Sequence, residues 1–310
     1  MNQYVPIIPA EFVLPLNMNG LRGRMLRLPT KKAKKREILL IYGHHASIER
    51  YYGLAKILNN YGTVTMPDLP GFGGMDSFYK IGQKPDLDTL ADYLATFVRW
   101  SFKGKRLTII GYSFGFLVIT RMLQKYPDII DKVDLLVSGA GFVHKDDFAF
   151  SRPRYLTYRY GSAFFAGRFT SLFFRYVAIN SIFLRLFYSH THNAKHKFAN
   201  LTKEQENAMT EFEIHLWHCN DARTYMKTTN VMMTVDNCQT KIDLPLWHVW
   251  VEVDKYFNSY RVEQHLNITF NKVHKIKTEL KKHSTNIIAD SEEWSILVPP
   301  RLRQELNRKV

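Results

Sequence analysis

Cysteine is scarce: Cys219 and Cys238 are the only two in 310 residues. That excludes a disulfide scaffold, and so few cysteines suit a reducing compartment in which both stay thiols. Long apolar runs are also missing. No stretch approaches the ~20 uninterrupted apolar residues of a membrane-spanning helix. The opening MNQYVPIIPAEFVLPLNMNG has no basic segment leading into a long apolar one, so no secretory signal is expected. A soluble, cytoplasmic protein is the expectation. Acidic residues are few as well, 28 against 43 Lys and Arg, which leaves a net charge of +15. Such an excess favours contact with something anionic: nucleic acid, a lipid headgroup surface or an acidic substrate.

Apolar residues, in contrast, are plentiful. At 45% hydrophobic and 14% aromatic, the chain is no disordered polymer. It can bury a sizeable core as one large domain or as a domain carrying an insertion. The basic excess is localised. Residues 31–36, KKAKKR, hold five basic residues out of six. Residues 151–200 contain Arg152, Arg154, Arg159, Arg168, Arg175, Arg185, Lys195 and Lys197 with no Asp or Glu, and so supply +8 of the +15.

Short apolar runs bounded by glycine or proline recur along the chain. Ile38–Tyr42, Thr63–Met66, Leu107–Ile110 and Val133–Val137 read as buried parallel strands. Helical patterns over Glu49–Asn59, Leu87–Phe102 and Phe116–Lys125 separate them. Strand–helix alternation with short connections predicts an α/β fold, a mostly parallel sheet covered on both faces. The rhythm breaks between about Phe142 and Asp236 and resumes with strands at Leu246–Val251 and Lys272–Lys277. A last helix starts near Ser291, where Asp290 and Glu293 have the spacing of a capping box. The expected organisation is a core of residues 1–141 and 237–310, with 142–236 as an inserted helical cap.

Gly111-Tyr112-Ser113-Phe114-Gly115 matches G-x-S-x-G, with an apolar strand before it and a helix after it. So sharp a turn strains the central residue and leaves no room beside it, which is why glycines flank it and why the serine hydroxyl projects at the sheet edge. A serine hydroxyl needs a base to take its proton. Asp254 follows the strand ending at Val251, and His283 follows the last strand, giving the order nucleophile, acid, base. Glu252 competes with Asp254 but stands nearer the strand, and His274 competes with His283 but falls inside one. No metal ligands and no dinucleotide loop are evident. GFGGMD is not G-x-G-x-x-G, and no cofactor is expected.

These features resemble the α/β-hydrolase-fold serine hydrolases that carry a cap. Besides the elbow, the resemblance rests on IYGHHAS, PDLPGFGG, VEVD and KKHS, and it spans about residues 36–140 and 240–310. It implies an oxyanion hole made by the backbone N–H of Phe114 and one from the early loop, His44 or a neighbour in residues 44–46. Family members commonly have His where this chain has Tyr42, although Gly43 is retained. Ser113 in place of an elbow aspartate points away from epoxide hydrolases and dehalogenases and toward acyl transfer.

Within the insertion, Phe165, Phe169, Leu172, Phe173 and Tyr176 recur at helical spacing, with Arg168 and Arg175 on another face. The plainest reading is a lid helix with its aromatic stripe on the core or pocket and its arginines in solvent. A second is a cationic amphipathic helix docked on an anionic membrane surface. Nucleic acid is not an expected partner, since no RNA-binding motif appears. An aromatic lid suggests a small-molecule apolar acyl substrate. The competing function is a catalytically silent protein of the same fold that binds a small ligand or a membrane surface.

Overall fold

The computed structural model describes residues 8–30, 36–190, 202–252, 254–280 and 291–308. His283, the basic run of residues 31–35 and Asp290 lie outside the described residues. One eight-stranded sheet runs through the molecule in the order β1-β2-β4-β3-β5-β6-β7-β8. The strands are β1 (Val13–Met18), β2 (Leu21–Leu28), β3 (Glu37–Ile41), β4 (Thr63–Pro67), β5 (Leu107–Tyr112), β6 (Val133–Gly139), β7 (Ile242–Val251) and β8 (Phe270–Thr278). From β4 to β8 every pairing is parallel, while β1 and β2 are antiparallel to each other and β2 to β4. The expected fold class, a mostly parallel sheet with an inserted helical segment, is the observed one.

Helices cover both faces. They include α1 (Ile48–Leu58), α2 (Leu87–Ser101) and α3 (Phe114–Lys125). The strands in the middle are apolar on both sides, and all of Leu107–Tyr112 in β5 is buried. This double coverage is why they read as continuous apolar runs rather than alternating ones.

Two elements go beyond the sequence expectation. One is the N-terminal hairpin β1–β2, which turns at Asn19 (φ 52°) and Gly20 (φ 77°), both left-handed. Asn-Gly suits a two-residue hairpin turn because both central positions need positive φ. The other is the helix Ser259–Thr269 between β7 and β8.

Between β6 and β7 the chain leaves the sheet and forms α4 (Arg152–Phe165), α5 (Arg168–Phe173) continued by a π-helical turn (Phe174–Ala178), α6 (Ser181–His190), α7 (Lys203–Cys219) and α8 (Ala222–Met232). This helical insertion lies over the ends of the strands that carry the candidate site. No helix among the described residues is long and apolar enough to cross a membrane.

Candidate active site

Ser113 stands between β5 and α3 with φ 48° and ψ −116°, a conformation that side chains rarely adopt. Its N–H donates to Gly139 O at 2.9 Å, and its carbonyl accepts from Phe116 N at 3.0 Å. The strained residue is thus held from both sides. The flanking glycines have the steric role that the motif implies. A Cβ on Gly115 would stand 2.4 Å from Tyr42 O and 2.5 Å from Ile41 O, and one on Gly111 would meet Phe116 Cα at 2.7 Å.

Because β3 neighbours β5, the loop after β3 runs beside the serine. A Cβ on Gly43 would lie 3.4 Å from Ser113 Cβ. Tyr42, where the sequence resemblance leads one to expect His, is fully buried, and its hydroxyl donates to Asp68 Oδ1 at 2.7 Å while accepting from Leu69 N at 3.0 Å. Asp68 also accepts from Arg24 Nε at 2.9 Å and Ile48 N at 3.2 Å, and Arg24 forms a bidentate pair with Glu49 at 2.6 and 2.9 Å. Burial pushes the Asp68 carboxyl up to about 7 even against the pull of Arg24. The phenol of Tyr42 rises with burial and with the carboxylate beside it, so it remains a donor. The substitution therefore ties the root of the loop to β2, β4 and α1.

The next two residues face the insertion. His44 Nε2 lies 2.8 Å from Thr228 Oγ1, and that hydroxyl donates to Thr224 O at 2.8 Å, so the imidazole N–H is the donor to it. The ring packs 4.4 Å from Tyr225 and edge-on to Phe114 at 5.3 Å. Burial, with His45 adjacent, drives His44 down to about 3 and keeps it neutral. His45 takes φ 54°, packs 4.3 Å from Trp217 and places Nε2 3.4 Å from Glu213.

Asp254 lies just beyond β7, at the same end of the sheet as Ser113. Its carboxylate accepts from Tyr256 N at 2.7 Å and Phe257 N at 3.3 Å. His283, the expected base, belongs to the segment outside the described residues. Its rival His274 sits within β8, stacked on Trp247 at 4.2 Å and 14°, a packing role. Glu252 is exposed and pairs with Lys277 at 2.7 Å.

A cavity of about 330 Å³ opens over Ser113 and Gly43. Its walls are mostly aromatic and methionine side chains, among them Phe148, Trp217, Tyr225, Met232 and Phe257, with Arg50 and Glu213 as charged groups. The sequence reading missed these last two. Glu213 was detectable in principle, as a carboxylate on the buried face that α7 shares among Met209, Phe212 and Leu216.

Comparison with known proteins agrees with this architecture. The model of a family described as serine aminopeptidase, S33, matches residues 32–278. A hydrolase from Oleispira antarctica superposes with a TM-score of 0.65 at 12% identity, over 92% of this chain and 94% of that one. The enol-lactonase from Burkholderia xenovorans LB400 gives 0.62 at 10% identity, over 95% and 100%. A thermophilic esterase from Thermogutta terrifontis gives 0.59 at 13% identity, over 94% of each. At such identities the likeness is one of fold. No curated protein sequence matches the chain significantly.

Proposed function

The chain belongs to the serine aminopeptidase S33 family, hydrolases of the α/β-hydrolase fold, and from that premise we propose that it cleaves an apolar acyl substrate through Ser113. The observation that carries the reading is the strained turn that presents Ser113 to an aromatic-walled cavity of about 330 Å³.

In this mechanism the Ser113 hydroxyl attacks the acyl carbon while His283 takes its proton, and Asp254 orients and stabilises the imidazolium. The developing oxyanion is met by the N–H of Phe114, which opens α3 and so has no intrahelical acceptor, and by that of His44 from the loop beside it. His283 then protonates the leaving group, and water attacks the acyl-enzyme by the same route in reverse. The aromatic walls support an apolar acyl chain, and the insertion would act as its lid.

Labelling with a fluorophosphonate tests this, with wild type beside Ser113→Ala and His283→Ala. Labelling of wild type alone is expected. It is followed by an ester panel of increasing chain length, with amides of the same acyl groups for comparison. A folded wild type that does not label would instead identify a silent binding protein.

A further inference from the structure

The helix formed by α5 and its π turn is inside out for a water-soluble protein. Phe169, Leu172, Phe173, Tyr176 and Val177 follow the spacing of a single helix face, which in a solvated domain should pack on the core. Here that face points outward: Phe169 is 81% exposed, Phe173 62% and Tyr176 71%. The inward face carries Ser171, Phe174 and Ile179 instead, and Phe174 packs on Trp217 of the cavity wall at 6.1 Å. The plainest sequence reading, with the aromatic stripe on the core or pocket, holds for Phe165, which is half-buried against Phe174 at 5.3 Å, and is overturned for Phe169, Leu172, Phe173 and Tyr176.

The exposure is concentrated rather than scattered. Of fifteen exposed large apolar side chains among the described residues, eleven fall between Leu156 and Phe183, one of which, Tyr158, lines the cavity and the other ten of which do not. Scattered apolar residues need no explanation, but a contiguous patch marks a surface that meets something. Charge indicates what. Residues 151–190 hold six arginines and no carboxylate. Arg185 pairs with Glu211 at 2.9 Å, while Arg168 and Arg175 flank the stripe with no carboxylate partner among the described residues.

We propose that this face of the insertion docks on an anionic lipid bilayer, its aromatic stripe entering the headgroup boundary and its arginines meeting the lipid phosphates. Aromatic and aliphatic side chains between arginines are the composition that partitions into such an interface. A protein partner of matching shape would need carboxylates opposite the arginines, whereas a bilayer supplies negative charge across the whole face.

Cosedimentation with phosphatidylcholine vesicles, with and without phosphatidylglycerol, tests the proposal. Wild type should pellet with the anionic vesicles and release as salt rises. Combined Phe169→Ser, Phe173→Ser and Tyr176→Ser should weaken partitioning roughly tenfold or more. Arg168→Glu with Arg175→Glu should cost about fivefold or more per site on anionic vesicles and little on neutral ones. Thermal melts of both variants should match wild type, because every altered side chain is exposed. The proposal fails if wild type stays in the supernatant with anionic vesicles at low salt, or if the serine variant pellets as well as wild type. It also fails if light scattering reveals a dimer that the serine variant dissociates, which would make the face a protein interface.

Discussion

Tyr42 shows how a single departure from a family pattern can be absorbed. Where the family resemblance leads one to expect His, this chain places a phenol whose hydroxyl both donates to Asp68 and accepts from Leu69 N. Tyr42→Phe keeps the ring but leaves both partners short of a bond inside the core. The expected loss is about 1–3 kcal/mol, read as a lower urea midpoint with an unchanged slope. The loop it anchors leads straight to Gly43 and His44, so fluorophosphonate labelling should slow as well. A second residue-scale prediction concerns acid. Burial lowers both His44 and His248 from the ordinary 6.5 to about 3, with His45 adding to the first and Lys275 to the second. In the unfolded chain both protonate near 6.5, so between about 6.5 and 3 the unfolded state holds more protons than the folded one. Their contribution to stability is complete above pH 6.5 and is lost as the pH falls through that window. The melting temperature should therefore drop between pH 7 and pH 4. In His248→Gln, which retains a neutral partner for Ser138 Oγ (3.0 Å from His248 Nδ1), the drop should be shallower.

At the scale of elements, the elbow is the least forgiving piece. Gly115→Ala sets a methyl group 2.4 Å from the carbonyl oxygen of Tyr42 and 2.5 Å from that of Ile41 at the end of β3, and backbone there cannot yield as a side chain would. Destabilisation of about 1–3 kcal/mol or more is expected, with loss of labelling where the variant still folds, measured by urea melts beside the probe assay. This element was also the most legible, because glycines forced by close approach leave a fixed spacing in sequence. The central strands were legible for a related reason: burial on both faces removes polar residues, and each run ended within two residues of its expected boundary, except at the longer start of β7. The hairpin was not read. Its strands mix Arg22, Arg24 and Arg27 with apolar residues and carry Pro15, so only Asn19-Gly20 signalled the turn. The helix Ser259–Thr269 escaped because it buries only Val262, Leu266 and Thr269. Most of the aromatic stripe of the insertion, Phe165 excepted, faces the side opposite to the expected one, since periodicity identifies a face without saying what covers it. At the site, the elbow serine and its neighbouring loop were legible from motif spacing. Of the insertion's contributions, Glu213 left a trace as a carboxylate at the helical spacing of Met209, Phe212 and Leu216, while Trp217 left none, because it reaches the cavity only through tertiary packing.

At the scale of the whole molecule, the question is how the insertion is held over the sheet. Much of the attachment runs through the Pro/Gly-dense loop after β4. Gly74 N donates to Cys219 O at 2.8 Å, Asp221 N to Gly71 O at 2.8 Å, and Gly73 N to Asn220 Oδ1 at 2.8 Å. Gly71 and Gly73 take φ 85° and 61°, and a Cβ on either would run into Thr224 or Asp68. The glycines thus let the loop press against the α7–α8 junction and exchange hydrogen bonds with it, while His44 fastens α8 from the other side through Thr228. Among the described residues of the insertion, Asn220 is the side chain that bonds directly to the loop backbone, and it is buried. Asn220→Ala leaves the Gly73 N–H without that acceptor, at a cost of about 1–3 kcal/mol. Because the seam joins two layers, the cost should fall on the junction rather than on the sheet. Hydrogen exchange should accelerate across residues 203–232 and stay unchanged in β3, β5 and β6. The KM for long-chain esters should rise as the aromatic wall loosens, while labelling of Ser113 by a small fluorophosphonate keeps its rate. If exchange instead rises equally in the sheet, the insertion and the sheet open as one cooperative unit, and the insertion cannot act as an independent lid.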